Sequence, residues 1–482
     1  MGIIQKQLLE KEAAFLFGGL MVSILEAVNK AVWGIPLLLL ILFVGIYLSL
    51  QTRFVQIRCF PKALRVFVSK FCKRGNTEGT SSYRALCTAL AATVGTGNIA
   101  GVAGAISIGG PGAIFWMWIC ALLGMVIKFS EATLAVRFRN KNAKGELVGG
   151  PMYMIKNAMS GKYHFLAYFY CFFGLIASFG VGNGTQINAV IGGIHSVANW
   201  FGLPWNTWCT LILGIIIAII VLGMMLGGAR RIGSIAERLV PYAAVGYMIL
   251  CGAVLVICRQ RIPVAFSSII RGAFSPSAVT GGAIGSLFLS MRIGSSRGIF
   301  TNEAGMGTAS IAHAASNVKD PTEQGYMGIM EVFIDTIVIC TMTALVILCS
   351  GVAIPYGEDI GVVLTTEAFS SVLGSWVCVP IALALCCFAF ATVLGWGLYG
   401  IRCAQFLFGE ESWKSFVYLQ SATSVVSAAL GTGTVWLMAE TVNGLMAIPN
   451  LIILAFLAPQ LGQMTSRQGS GKRLRKSVLK PR

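Results

Sequence analysis

The sequence predicts an all-α polytopic membrane protein in which two inverted repeats of five helices follow one extra N-terminal span. Hydrophobic residues make up 56% of the 482 residues, charged residues make up 11%, and the mean hydropathy is +0.78. Soluble domains carry about a quarter charged residues, so this composition excludes an ordinary soluble protein. Apolar runs of about 20 residues, the length that crosses a bilayer, recur along the chain, and glycines interrupt two of them.

Charge and cysteine usage argue against other classes of protein. The formal charge of +18 does not indicate a nucleic-acid partner, because the basic residues lie between apolar runs rather than on one face. The 14 cysteines have no CxxC or other metal-ligand spacing, which indicates small residues packed between helices. The sequence has no nucleophile–base constellation and no phosphate loop, so we expect neither an enzyme nor a bound cofactor.

The apolar runs predict eleven spans. A segment over residues 1–33 precedes them, and its residues 13–33 are expected to form an amphipathic helix that lies in the membrane interface. The first span is expected to be peripheral. The predicted spans cover residues 34–51, 85–109, 113–136, 163–190, 206–226, 239–257, 278–299, 327–352, 376–400, 416–436 and 441–459.

Loop charges predict the orientation of these spans in the plasma membrane. Lysines and arginines are frequent after the first, third and fifth spans and in the tail at 460–482. By contrast, the loop at 191–205 has none, and the loop at 353–375 carries only acidic charges. Basic loops stay in the cytoplasm, so we expect the N-terminus outside and the C-terminus inside. Three arginines in the loop after the sixth span do not follow this rule.

Glycine-rich interruptions predict a repeat. One lies in the second span around Gly95 and Gly97, and the other is expected in the seventh span, which contains Gly281, Gly285 and Gly294. Five spans separate the two positions, and five is odd, so the second unit is inverted relative to the first. Discontinuous helices in matching halves are typical of secondary transporters. The expected repeats are residues 85–257 and 278–459.

The interruption in the second span has the chemistry of a binding site for a zwitterion. A broken helix frees N–H groups that attract anions and C=O groups that attract cations. Thr93, Thr96 and Asn98 add neutral oxygens that suit a hard monovalent cation, and the span has no carboxylate, which favours a metal ion over a proton. The alternative is a glycine-rich surface for helix packing.

Six motifs carry a resemblance to a known family. They are residues 89–101 (ALAATVGTGNIAG), 109–118 (GGPGAIFWMW), 149–153 (GGPMY), 297–305 (RGIFTNEAG), 311–315 (IAHAA) and 335–345 (DTIVICTMTAL). From about residue 33 to 460, the chain resembles the alanine or glycine:cation symporter family. The resemblance implies a LeuT-like fold and a sodium-coupled, sometimes proton-coupled, importer of small neutral amino acids. The implied partners are therefore a small neutral amino acid, Na⁺ and the lipid bilayer.

The resemblance also implies site residues. Thr392 is expected to bind sodium with the carbonyls of the second span, and Trp396 is expected to form a wall of the pocket. The predicted sodium ligands are Thr93, Thr96 and Thr392. The predicted substrate-binding residues are Thr93, Gly97, Asn98, Gln186, Phe300 and Trp396. For three of these side chains an alternative stays open: Thr392 could bond to its own helix, Trp396 could be an ordinary packed aromatic, and Gln186 could bridge helices.

Departures from the family pattern concern substrate identity. Residues 395–401 read GWGLYGI where the family usually has GWYYYGE, and residues 290–297 read SMRIGSSR in place of AIRFGVAR. Intramembrane carboxylates are functional by default, so Asp335 and Glu331 could form a proton relay, although a salt bridge at a gate or snorkelling of the side chains towards the interface explains them as well. Glu131 is expected to pair with Lys128 or Arg137. The runner-up functions are a proton-coupled carrier, a carrier of another small zwitterion, and a transporter-like sensor or channel.

Overall fold

The computed structural model describes residues 23–33, 35–72, 80–358, 361–429 and 432–469. Residues 13–22 of the expected interfacial helix and residues 470–482 of the basic tail lie outside this part. Residues 23–32 are helical, and this segment packs against the last long helix of the chain. There, Asn29 donates to Thr441 (3.1 Å), and Trp33 Nε1 donates to the carbonyl of Glu440 (2.6 Å).

The first half of the chain forms twelve labelled helices and one short hairpin. The helices are α1 (Ile35–Gln51), α2 (Val55–Arg58), α3 (Phe60–Cys72), α4 (Ser82–Thr93), α5 (Ala100–Gly109), α6 (Ala113–Arg137), α7 (Pro151–Ala158), α8 (Phe165–Phe179), α9 (Thr185–Trp200), α10 (Thr207–Met225), α11 (Gly228–Ile257) and α12 (Ile262–Phe274). Strands β1 (Asn140–Lys141) and β2 (Leu147–Val148) pair in antiparallel fashion. A π-helical turn, Gly180–Gly184, joins α8 to α9.

The second half contains nine further helices. They are α13 (Pro276–Val279), α14 (Leu287–Asn302), α15 (Thr308–Ala314), α16 (Pro321–Val332), α17 (Thr341–Ser350), α18 (Val362–Leu373), α19 (Cys378–Phe408), α20 (Ser412–Ala429) and α21 (Thr432–Gly469). A π-helical segment, Phe333–Cys340, joins α16 to α17. Short 3₁₀ turns lie at Thr96–Asn98, Gly161–Tyr163, Arg259–Arg261 and Ser375–Val377.

Eight helices in the described part are long and apolar enough to cross a membrane, and a ninth is added when the bent pair Ser82–Thr93 and Thr96–Gly109 counts as one span. This result confirms a polytopic helical membrane protein. The predicted seventh and tenth spans correspond to α14 and α20, which are not among these nine. The total of eleven spans and the five-plus-five division therefore remain predictions.

Helix α19 lies in the centre of the molecule. Every residue from Ala391 to Ala404 is buried, so neighbouring helices surround this part of α19 on all sides. Helices α10 and α11 instead expose large apolar side chains on one face, including Ile219, Tyr242 and Ile249. Large apolar side chains on the outer face of a membrane-length helix are typical of contact with lipid.

The predicted seventh span, 278–299, needs a correction. Helix α13 ends at Val279, Gly281 and Gly282 form a turn with positive φ, and α14 begins only at Leu287. Gly294 lies inside the continuous helix α14, where an added Cβ would collide with the backbone of α6. These glycines therefore serve a loop and a close helix contact, whereas the helix break lies farther along the chain.

Candidate functional site

The first helix break lies between α4 and α5, as the sequence predicts. Val94 and Gly95 are extended, and residues 96–98 form a 3₁₀ turn. The helix axis bends by 59° at this break. A Cβ at Gly95 would lie 2.6 Å from Thr392 Oγ1, so only glycine fits here. Asn98 Oδ1 accepts from the Gly95 N–H (2.8 Å), which satisfies one backbone group that the break frees.

A second helix break separates α14 from α15. Its backbone takes positive φ at Glu303 (54°), Gly305 (94°) and Gly307 (77°). Glu131 of α6 holds this break, because its Oε1 accepts from the N–H groups of Gly305 and Gly307, each at 3.0 Å. Asn450 Nδ2 donates to the same carboxylate oxygen (2.7 Å) and to the Gly305 carbonyl (2.8 Å). Side chains of neighbouring helices thus replace the helical hydrogen bonds lost at membrane depth.

Polar side chains connect the two breaks. Asn98 Nδ2 donates to Asp335 Oδ1 (2.7 Å), and Thr336 Oγ1 donates to Asp335 Oδ2 (2.8 Å). Asn302, which ends α14, donates in turn to Thr336 Oγ1 (3.2 Å). The first break also approaches α14 closely, since a Cβ at Gly97 would lie 3.4 Å from Thr301 Oγ1. The Asp335 side chain is completely buried and therefore belongs to the contact between the two broken helices.

A cavity of about 610 Å³ opens beside the first break. Thr96 and Gly101 of the broken helix, Asn188 of α9, Arg297 of α14 and Glu440 of α21 are among its lining residues. Arg297 and Glu440 form an ion pair of 3.5 Å across it. Ligand pockets have volumes of about 300–1,000 Å³, so the cavity has room for a small organic molecule.

The predicted sodium ligands lie close to this break, and each of their hydroxyls donates a hydrogen bond to another group of the protein. Thr96 Oγ1 donates to Gln186 Oε1 (3.2 Å), Thr93 Oγ1 to the Ala89 carbonyl (3.3 Å), and Thr392 Oγ1 to the Phe388 carbonyl (3.0 Å). Thr392 thus bonds to its own helix, as the alternative interpretation expects. A hydroxyl that donates still has lone pairs that can accept, so these oxygens remain available to a cation.

The predicted substrate residues do not share one environment. Gln186 bridges helix segments, because its amide donates to the Val181 carbonyl and to Thr185 Oγ1, each at 3.2 Å, while its oxygen accepts from Thr96. Phe300 is buried in α14. Trp396 is fully buried, and an added Cβ at Gly182 would collide with it.

Sequence reasoning missed Glu303, which contacts α19 directly. Glu303 Oε1 accepts from Trp396 Nε1 (2.7 Å), and Glu303 Oε2 accepts from Thr308 Oγ1 (2.6 Å). The motif at 297–305 contains this residue. The sequence predicts that the seventh span ends at residue 299, however, so it does not place Glu303 at a helix break. The glycines at 305 and 307 are the signal that could have placed the break.

A buried ion pair corrects the expected partner of Glu131. Lys128 Nζ lies 2.8 Å from Glu331 Oε1, and His313 Nε2 lies 3.0 Å from Glu331 Oε2, with all three side chains inaccessible to solvent. Glu131 instead accepts hydrogen bonds from the second break. The sequence does not predict this contact, because Glu131 and Gly305 lie 174 residues apart. Within the described residues, no group of three or more His, Cys, Asp or Glu side chains is arranged to hold a metal ion.

Comparisons with known proteins agree with this architecture. The sequence profile of the sodium:alanine symporter family matches residues 19–476. The chain is 39% identical over 463 residues to the sodium/alanine symporter AgcS of Methanococcus maripaludis, with 95% of this chain and 99% of that protein covered. It is 40% identical over 435 residues to an uncharacterised transporter of Haemophilus influenzae, with 90% and 92% covered.

A solved structure supports the fold. The crystal structure of MhsT in complex with L-phenylalanine matches with a TM-score of 0.52, and the match covers 82% of this chain and 99% of that one. The sequence identity is 14%, so this similarity concerns the fold alone. It supports the predicted LeuT-like polytopic fold.

Proposed function

The chain belongs to the sodium:alanine symporter family, and we propose that it imports a small neutral amino acid, alanine or glycine, together with sodium. As a family member it is a cation-coupled amino-acid symporter of the membrane and not an enzyme. The choice of alanine or glycine and the choice of sodium are our proposal. The observation that carries the proposal is the first helix break, because Thr96, Ala100 and Gly101 of the broken helix line a cavity.

The proposed substrate site uses both ends of the zwitterion. The N–H groups that begin α5 suit the substrate carboxylate, and the carbonyls that end α4 suit cations. Thr96 supports this assignment, because it belongs to the break and also lines the cavity of about 610 Å³. In this proposal Gly97 permits close approach of the substrate, Asn98 fixes the break, and Gln186, Phe300 and Trp396 enclose the substrate.

The proposed sodium site uses the hydroxyls of Thr93, Thr96 and Thr392 with the carbonyls of the first break. Hard cations prefer oxygen ligands, which hydroxyl and carbonyl groups supply. The proximity of Thr392 Oγ1 to Gly95 supports this site, since a Cβ there would lie only 2.6 Å from it. Substrate and cation then share one broken helix, so each stabilises the bound state of the other, and alternating access couples their movement.

Proton coupling is the second candidate, and one observation favours it. Asp335 is fully buried and accepts a hydrogen bond from Asn98 of the first break, so a carboxyl group lies in direct contact with the proposed site. Buried intramembrane carboxylates are frequent in proton relays. A proton taken up by Asp335 would change its contact with Asn98 and could replace the sodium ion as the coupling ion.

Uptake into proteoliposomes separates these candidates. Purified protein is reconstituted, and uptake of labelled alanine and of labelled glycine is measured with an inward sodium gradient, with an inward proton gradient in sodium-free buffer, and with neither. The proposal predicts concentrative uptake with the sodium gradient alone. Uptake that the proton gradient drives without sodium would support the second candidate. A wild-type protein that accumulates neither alanine nor glycine under any gradient would overturn the substrate proposal.

A further inference from the structure

One turn of α19 contacts both helix breaks. Thr392 and Trp396 lie four residues apart, so they project from the same side of the helix. Thr392 Oγ1 lies against Gly95 in the first break, and Trp396 Nε1 donates to Glu303 in the second (2.7 Å). Residues 391–404 are all buried, so this turn cannot shift without moving its neighbours. A displacement at one break therefore reaches the other through α19.

Glu303 occupies an unusual backbone position for this contact. Its φ of 54° lies in the left-handed region, which non-glycine residues rarely adopt. The side chain is 2% exposed, and each carboxylate oxygen has one hydroxyl or indole donor. This conformation aims the carboxylate at Trp396 on one side and at Thr308 on the other. A strained residue at a helix break that holds one specific side chain points to a function.

The indole of Trp396 has no freedom in this arrangement. Its ring packs edge-on against Tyr399 with centroids 5.8 Å apart, and Gly182 of the π-helical turn lies against its Cβ. The hydrogen bond to Glu303 fixes the remaining degree of freedom, the rotation of the ring about its side-chain bonds. These three contacts therefore hold the ring in one orientation.

We propose that Glu303 is a positioning residue for substrate selection, in that it orients Trp396 and links the second helix break to the sodium site through α19. This inference rests on the proposed function, because it requires Trp396 to enclose the substrate. It needs the length and the acceptor oxygen of the Glu303 side chain, and it does not need its negative charge. That requirement separates positioning from proton transfer.

Two conservative substitutions separate length from charge. Glu303→Gln keeps the length and an oxygen that accepts from Trp396, while its amide can donate to Thr308. Glu303→Asp keeps the charge but is one methylene shorter, so its carboxylate no longer reaches both partners. The inference predicts that Glu303→Gln keeps the wild-type preference. Glu303→Asp is expected to reduce the preference for glycine over valine by about tenfold and to raise the sodium concentration for half-maximal uptake.

Glu131→Gln provides a matched control. Glu131 is also a fully buried carboxylate at the second break, but it contacts Gly305, Gly307 and Asn450 rather than α19. A role of Glu303 that is only structural would give Glu131→Gln and Glu303→Asp the same phenotype. The inference expects Glu131→Gln to lower the amount of folded protein or the maximal rate, with the substrate preference unchanged.

The experiment measures competition of labelled alanine uptake by glycine, alanine, valine and leucine in proteoliposomes, at several sodium concentrations. Trp396→Phe, which lacks the indole N–H, should shift the preference in the same direction as Glu303→Asp, and the double variant should be no worse than either single variant. If Glu303→Asp does not fold, Trp396→Phe still decides, since a wild-type preference in it would overturn the inference.

Other outcomes are equally decisive. A severe defect in Glu303→Gln together with normal transport by Glu303→Asp would overturn positioning, because it would show that the charge is required. If wild-type protein transports none of the four amino acids, the proposed function fails. If the wild type transports and Glu303→Asp keeps its preference, only the present inference fails.

Discussion

The hydroxyl of Thr392 is the side-chain atom on which the proposed sodium site depends most. It donates to the Phe388 carbonyl (3.0 Å), so its lone pairs face away from that bond, and it lies against Gly95. We predict that Thr392→Ala raises the sodium concentration for half-maximal uptake while alanine recognition at saturating sodium changes little. Loss of one oxygen ligand costs about 1–3 kcal/mol, which corresponds to a rise of about five- to 150-fold.

Thr392→Ser is the matched control, because it retains the hydroxyl and loses one methyl group. Sodium activation curves of the two variants give the comparison. Equal behaviour of the serine and alanine variants would mean that the hydroxyl does not bind the cation.

Asn98 supports the first break from both sides of its amide group. Its oxygen accepts from Gly95 (2.8 Å), and its nitrogen donates to Asp335 (2.7 Å). Asn98→Ala removes both contacts, so we predict that it weakens alanine binding and sodium activation together. Alanine titrations at several sodium concentrations measure both effects, and Asn157→Ala, which alters an exposed hydrogen bond in the hairpin region, is the control. Wild-type affinity with wild-type sodium dependence would remove Asn98 from the site.

Trp396 gives a prediction about substrate size. If its ring closes the pocket, Trp396→Leu should admit valine and methionine, while glycine is held less well. The neighbouring Gly397 packs against Met225 and Gln420. This contact agrees with a packing role for Gly397. Competition by a graded series of amino acids measures the change, and an unchanged rank order in Trp396→Leu would place this side chain outside the pocket wall.

The first helix break depends on a close contact with α19 that only a glycine at position 95 permits. A Cβ at Gly95 would lie 2.6 Å from Thr392 Oγ1, whereas a Cβ at Gly246 in α11, away from the cavity, has no neighbour within 4 Å. Gly95→Ala should therefore force α4 and α19 apart and reduce sodium-dependent uptake by more than tenfold, while Gly246→Ala stays within about twofold of wild type. Initial rates at saturating sodium provide the test, and equal rates for the two variants would contradict the close contact.

The two helix breaks show how much of the secondary structure can be predicted from the sequence. The first is visible because Gly95 and Gly97 interrupt an apolar run with three polar side chains. The sequence predicts the second break at the glycines between residues 281 and 294, and this prediction is wrong. Local composition does not distinguish a glycine-rich loop from a broken helix. The true position of the second break depends on Glu131 and Asn450, which reach Gly305 from 174 and 145 residues away. Contacts of that range leave no local pattern, and the same reason hid the bond between Glu303 and Trp396.

At the scale of the whole molecule, the cavity and the loop charges indicate one orientation. Ser196 of α9 and Thr366 of α18 line the cavity. Both lie within the segments 191–205 and 353–375, which carry no lysine or arginine and which we expect outside the cell. The ion pair of Arg84 with Glu237 (2.7 Å) lies in the region that we expect on the cytoplasmic side. We therefore propose that the cavity faces outward in this structure.

We predict that a cysteine at Ser196 reacts with a membrane-impermeant maleimide in intact cells, whereas the native, exposed Cys72 reacts only after permeabilisation. Saturating alanine should slow the reaction at residue 196, because the bound state occludes the cavity. Labelling followed by mass spectrometry reads out both sites. The reverse pattern would invert the proposed orientation.

The central claim is that the amino acid and sodium bind together at the first helix break. Calorimetric titration of wild-type protein tests it most directly, with alanine titrated at several sodium concentrations and sodium titrated at several alanine concentrations. Linkage requires that sodium raise the affinity for alanine by the same factor by which alanine raises the affinity for sodium. We predict a factor of about ten or more in the wild type and a much smaller factor in Thr392→Ala. Alanine binding that is independent of sodium would contradict the claim.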